Sequence, residues 1–132
     1  MDVDVLVPAA LEGQIHEDNA HSVRAPIIVE GANGPVTADA DRMLTDRGVT
    51  IVPDILANAG GVVVSYFEWV QSRAQFYWEL DEVETRLEIY MRRAMDLVLT
   101  TATKYDSSLR EAAFIVAVDR VARAIERRGI FP

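Results

Sequence analysis

Three short runs of apolar and β-branched residues punctuate the first half of the chain, at residues 3–7, 27–30 and 49–52. Each has strand length, shows no polar alternation, and ends in small, turn-forming residues instead of a hairpin signal. Strands of that kind are covered on both faces, which favours parallel pairing through helical crossovers. Between the second and third runs, Thr37 stands where it would cap a helix over residues 38–47. Asp39 and Asp41 then lie at its positive end and Gly48 just past its negative end.

The second half has helical periodicity. Residues 62–75 are apolar and aromatic, and Tyr66, Phe67, Trp69 and Val70 wrap most of a helical circumference, the pattern of a buried helix. From Asp81, with Glu84 three residues on as its capping partner, apolar positions recur at Val83, Leu87, Tyr90 or Met91, Ala94, Val98 and Ala102. This spacing predicts a long amphipathic helix. Ser108 and Glu111 form a capping-box pattern before Ala112, Ile115, Val116, Val118, Val121, Ala122 and Ile125, and Gly129 marks the stop near Arg128. The chain reads as one α/β domain over residues 1–132, with β/α units to about residue 61 and helices over 62–132. Its expected architecture is a partial Rossmann-like, doubly wound parallel sheet of about three strands followed by long C-terminal helices.

Composition removes several functions. There is no cysteine, so neither a disulfide nor a thiolate nucleophile or metal site can form. Net charge is −8, and Lys104 is the single lysine beside 12 arginines, so no nucleic-acid partner is expected against that field. The N-terminus lacks a basic start with a long apolar core, and no apolar run approaches the roughly 18 residues of a membrane span. A cytoplasmic chain with no membrane partner is the expectation. His16 and His21 are five apart without a carboxylate third ligand in register, and no metal site is expected there.

Ligands of open parallel sheets bind outside the carboxyl ends of the strands, where helix N-termini offer unpaired N–H groups. Of the three asparagines, Asn33 and Asn58 fall in those loops. Their amides offer both donor and acceptor to a carboxamide ligand, although asparagine also serves as an ordinary turn residue. Gly31, Gly34, Gly60 and Gly61 are ambiguous in the same way, between close ligand approach and turn geometry. Trp69, Phe76, Tyr77 and Trp78 could stack on an adenine, but aromatic clusters more often make core or interface, and that is the expectation.

The stretches Pro-Ala-Ala-Leu-Glu-Gly at 8–13, Glu-Gly-Ala-Asn-Gly-Pro at 30–35, and Ala-Asn-Ala-Gly-Gly-Val-Val-Val-Ser-Tyr-Phe-Glu-Trp at 57–69 resemble three consecutive signatures of the glutamate dehydrogenase family, in order and spacing. The likeness runs on to the terminal Arg-Arg-Gly-Ile-Phe-Pro and implies that Pro132 is the natural C-terminus. It implies a C-terminal part of an NAD(P)-binding domain, with Ala9 and Ala10 along an NAD or NADP cofactor and Asn33 and Asn58 on its nicotinamide and ribose side. Gly60 and Gly61 would let the backbone approach the nicotinamide. Val62 and Ser65 would face the amino-acid substrate, L-glutamate or 2-oxoglutarate in the complete enzyme. They are one helical turn apart and so share a face, although a bond from Ser65 to its own backbone four residues earlier is the ordinary alternative. Within the resemblance, the Val-Ser-Tyr-Phe-Glu-Trp form after Asn-Ala-Gly-Gly implies glutamate over leucine or phenylalanine, whose dehydrogenases look different there.

The resemblance also implies what is missing. The family's catalytic lysine and aspartate, and its carboxylate-binding lysines, belong to an N-terminal domain without counterpart here, and Lys104 matches none of them. The Gly-x-Gly-x-x-Gly turn that holds a pyrophosphate is absent too, so the chain is expected to begin inside the nucleotide domain. No catalytic residue, weak or absent cofactor binding and no turnover by the isolated chain follow. An open sheet edge and uncovered apolar helix faces predict a homo-oligomer, most simply a two-fold dimer that pairs strands or buries the aromatic helix. The alternative is a non-catalytic Rossmann-like binding or oligomerisation module.

Overall fold

The computed structural model describes residues 3–129. Residues 130–132, which include the expected C-terminus at Pro132, lie outside them. Three parallel strands, β1 (Val5–Leu6), β2 (Ile27–Val29) and β3 (Thr50–Val52), form one open sheet in the order β1-β2-β3. In register, Ile28 stands beside Leu6 on one side and Ile51 on the other. The three apolar runs are thus strands, each shorter than its run by one to three residues.

The two sheet faces carry separate cores. Ile28 and Ile51 join Ile15, Ala20, Val36, Ala40 and Leu44 beneath the short helix α1 (Glu17–Ala20) and α2 (Ala38–Asp46). Val52, one residue past Ile51 and so facing the opposite way, packs with Leu56, Val98, Ala112 and Ala113. This doubly covered sheet is the architecture the uninterrupted apolar runs predict. Thr37 caps α2 by accepting from Ala40 N, and Gly48 takes φ +82 just past its end.

After α3 (Asp54–Ala57) come α4 (Gly60–Ala74), α5 (Leu80–Tyr105) and α6 (Leu109–Arg128). The Ser108–Glu111 capping box forms as the sequence predicts, with Glu111 N donating to Ser108 Oγ and Ser108 N to Glu111 Oε2. The start of α5 differs: Glu79, not Asp81, is the N-cap, and Asp81 sits in the first turn beside Glu82. There they face the positive end of the helix dipole, which uses the same acidic residues without a side-chain cap.

A second difference concerns α4. It is not buried within this chain: only Phe67 and Gln71 are, while Val62 is 76% and Trp69 56% exposed. Apolar residues all round a helix report the need for cover on several sides, and here cover comes chiefly from α5. Phe67 meets Trp78 and Tyr90 edge-on, each at 5.5 Å between ring centres. Gln71 locks the α4–α5 turn, accepting from Trp78 N at 2.6 Å while donating to Phe67 O. Of the aromatic group, Trp78 is partly buried, whereas Trp69, Phe76 and Tyr77 are exposed and are not core.

Candidate functional site

The loops leaving β1 and β2 are stitched to each other before either reaches the site. Ala32 N donates to Pro8 O, Gly13 N to Gly34 O, Ile15 N to Pro35 O and Thr37 N to Ile15 O, all within 2.9 Å. Gly31 permits the closest approach: a β-carbon there would stand 3.0 Å from Ala9 Cβ. Together with the start of α4, these loops enclose an open cleft of about 710 Å³ at the carboxyl edge of the sheet. Ala9, Ala10, Asn33, Asn58, Gly61, Val62 and Ser65 line it, joined by Leu11, Glu12, Gly31 and Ala32. Of the residues the sequence selects, Gly60 alone is not in that lining. A β-carbon at Gly60 would meet Leu87 and Met91 of α5, at 3.7 and 3.9 Å, whereas at Gly61 it would meet nothing within 4 Å. Gly60 is therefore a helix-packing position and Gly61 an open one.

Asn33 and Asn58 are bonded to each other: Asn58 Nδ2 donates to Asn33 Oδ1 at 2.6 Å. Neither has a positive φ, so neither is present to supply left-handed backbone; in the first loop that conformation belongs to Gly34, at φ +56. Among the described residues, Asn33 Nδ2 and Asn58 Oδ1 have no hydrogen-bond partner. The pair therefore presents a donor and an acceptor side by side, the complement of a carboxamide's oxygen and amino group. In that respect the residues fit a nicotinamide ring.

Val62 and Ser65 share the cleft-facing side of α4. The Ser65 hydroxyl donates to Gly61 O at 3.0 Å, the ordinary helical alternative. It presents lone pairs to the cleft, and must rotate away from Gly61 to donate to a carboxylate.

A buried ionic group behind the loops is not among the residues the sequence singles out. Glu30, at the end of β2, is 0% exposed. Its Oε1 accepts from Arg110 Nη2 at 2.9 Å and its Oε2 from Asp54 N at 2.8 Å. Arg110, in the first turn of α6, also binds Asp41 of α2 and lies 3.6 Å from Asp54 Oδ1. Burial pulls the Arg110 guanidinium down, but its hydrogen bonds to Glu30 and Asp41, with their charges, outweigh that and hold its pKa above the ordinary arginine value. Two signals in the chain mark this group: a glutamate closing an apolar strand, and an arginine at a helix start, where the dipole alone disfavours a cation.

The cleft's chemistry is limited. Among the described residues Glu12 is the one titratable side chain lining it, and Lys104, over the ring of Tyr105 at the end of α5, is not in its lining. Among the described residues no cluster of three or more metal-liganding side chains forms. None of the described helices is long and apolar enough to cross a membrane.

Three parallel strands in an open sheet covered by helices on both faces, with a cleft at its carboxyl edge, define a doubly wound α/β fold. The profile of the Glutamate/Leucine/Phenylalanine/Valine dehydrogenase family matches residues 1–129, and the chain belongs to that family. It is 56% identical to a glutamate dehydrogenase of Thermotoga maritima over 132 residues, covering 100% of this chain and 32% of that protein. It is also 56% identical to the NADP-specific glutamate dehydrogenase A1 of Halobacterium salinarum over 133 residues, again 100% of this chain and 32% of the relative. In structure it is similar to the hetero-hexameric glutamate dehydrogenase of Thermus thermophilus in a leucine-bound form, at TM-score 0.96 and 37% identity, over 100% of this chain and 32% of that one. The chain thus spans about a third of the length of these relatives.

Proposed function

We propose that this chain supplies one wall of the active-site cleft of an NAD(P)-dependent glutamate dehydrogenase, which converts L-glutamate to 2-oxoglutarate and ammonia. The Asn33–Asn58 amide pair at the floor of the cleft carries the reading. Its free donor and acceptor hold a nicotinamide carboxamide, while Ala9, Ala10 and Gly61 let the cofactor lie close to the backbone. Val62 gives the substrate a methyl wall, and Ser65, turned from Gly61, donates to the substrate's side-chain carboxylate. Hydride acceptance from the substrate carbon is the chemistry a bound nicotinamide supplies.

Among the described residues no acid–base pair or carboxylate-binding cation lines the cleft, which supports the reading that the chain alone turns nothing over and binds the cofactor weakly. Those groups belong, in this reading, to the share of the relatives' length that the chain does not span. The choice between NAD and NADP is assigned there too in this reading, because the sequence has no Gly-x-Gly-x-x-Gly turn with the acidic or basic residue that follows it.

Self-association fits the same reading. Phe114, Val118, Val121 and Ile125 form an exposed apolar stripe along α6, and Trp69 and Tyr66 stack in the open on α4. These faces also favour the second reading, a non-catalytic oligomerisation module. Titrating the chain with reduced nicotinamide mononucleotide while following backbone amide signals separates the two. Dehydrogenase ancestry in use predicts shifts at Ala10, Asn33, Asn58 and Ser65, and the module reading predicts none.

A further inference from the structure

We propose that Asp54 is a positioning residue that sets the Asn33–Asn58 amide pair, with the ion pair between buried Glu30 and half-buried Arg110 as its anchor. Asp54 touches both halves of the pair's scaffold. Its carboxylate Oδ2 accepts from Gly34 N at 2.8 Å, one residue beyond Asn33. Its carbonyl accepts from Asn58 N at 3.0 Å. A single residue therefore fixes the loop after β2 and the end of α3 at the spacing in which the two side-chain amides meet.

Asp54 is itself held. Its N–H donates to Glu30 Oε2, its Oδ1 accepts from Ile55 N at 2.7 Å, and Arg110 Nη1 stands 3.6 Å from that same oxygen. Arg110 joins this joint to α2 through Asp41 and to the sheet through Glu30. The site loop thereby takes its position from α6, which contributes no residue to the cleft lining. A rigid joint matters because two exposed amides on separate loops meet only if the loops are fixed, and ordering them beforehand lowers what a ligand must spend in ordering them. The proposal rests on the nicotinamide reading only for what the amide pair serves; the coupling is independent of any ligand.

The test is made on the full 132-residue chain without ligand, by following the side-chain amide signals of Asn33 and Asn58. In Asp54→Ala, the Asn58 side-chain amide moves toward free-amide positions and its exchange with water rises about fivefold, the loss of one ordinary hydrogen bond. Asp54→Asn, which retains an oxygen for Gly34 N, restores the wild-type signals. Val98→Ala, in the core on the other side of α3, lowers stability without moving them. Should Asp54→Ala not fold, Asp54→Ser carries the same expectation, because its hydroxyl is one bond too short for Gly34. Unchanged Asn58 signals in the folded Ala or Ser variant, or equal movement in Val98→Ala, would overturn the proposal. Adding reduced nicotinamide mononucleotide afterwards tests the functional reading separately: wild-type chain with coupled amides but no response keeps the positioning role and removes the ligand.

Discussion

Asn58 gives its side-chain Nδ2 hydrogen to Asn33 Oδ1 at 2.6 Å, joining loops 25 residues apart in sequence. The bond engages the Asn58 amino group and the Asn33 oxygen and, among the described residues, leaves the Asn33 amino group and the Asn58 oxygen without a partner, so its polarity sets what the pair can recognise. Asn33→Asp keeps the acceptor for Asn58 and removes the free donor. Its denaturation midpoint should correspond to a stability within about 0.5 kcal/mol of wild type. Its affinity for nicotinamide mononucleotide should fall about tenfold, read by amide-shift titration.

The adjacent glycines at the start of α4 separate packing from ligand approach. Replacing glycine by alanine in a helix favours the helix by up to about 1 kcal/mol, and both sites have room for the added carbon. Both Gly60→Ala and Gly61→Ala should therefore raise the melting temperature. Only Gly61→Ala, whose methyl enters the cleft, should weaken cofactor binding; equal weakening by Gly60→Ala would remove Gly61 from the site.

Arg110→Met leaves Glu30 fully buried without its cation, and the loss should be about 3 kcal/mol in chemical denaturation. The sign of the pH effect follows from the raised Arg110 pKa. Its contribution is complete at every pH below the ordinary arginine value and is lost only as pH climbs through the higher folded one. Between about pH 6 and about pH 9, Arg110 should therefore hold its charge in both folded and unfolded chain and add no slope of its own to stability.

Much of this was legible in the chain, for reasons that differ by element. Thr37, Ser108 and Glu111 act through neighbours three residues away, so their caps are local and readable. Parallel, doubly covered strands follow from uninterrupted apolar runs, whereas the register that sets Ile28 beside Ile51 does not. Asn33 and Asn58 drew notice by their place after strands, and the likeness to dehydrogenases assigned them a role, but their mutual bond spans 25 residues and no local pattern encodes it. Glu30 and Arg110 are each marked singly in the sequence, but their contact spans 80 residues and no local pattern encodes that they meet. The exposed α4 shows the opposite limit: its apolar circumference records surfaces that meet it, whichever chain or segment supplies them.

That record leads to a prediction about assembly. Val118, 64% exposed at the centre of the α6 stripe, should lie in a contact between copies. Sedimentation of the wild-type chain should give a mass above the monomer, and Val118→Arg should shift it toward the monomer. A monomeric wild type at high concentration would count against self-association.

The central claim is that this chain holds one wall of a glutamate dehydrogenase cleft and not its acid–base machinery. Glutamate-dependent reduction of NAD and NADP should be measured for the purified chain alone and after mixing with a polypeptide carrying the remaining length of a relative. No turnover alone and activity on mixing is the expected result. Turnover by the 132-residue chain alone, or a mixture that forms a complex and stays inactive, would contradict the account.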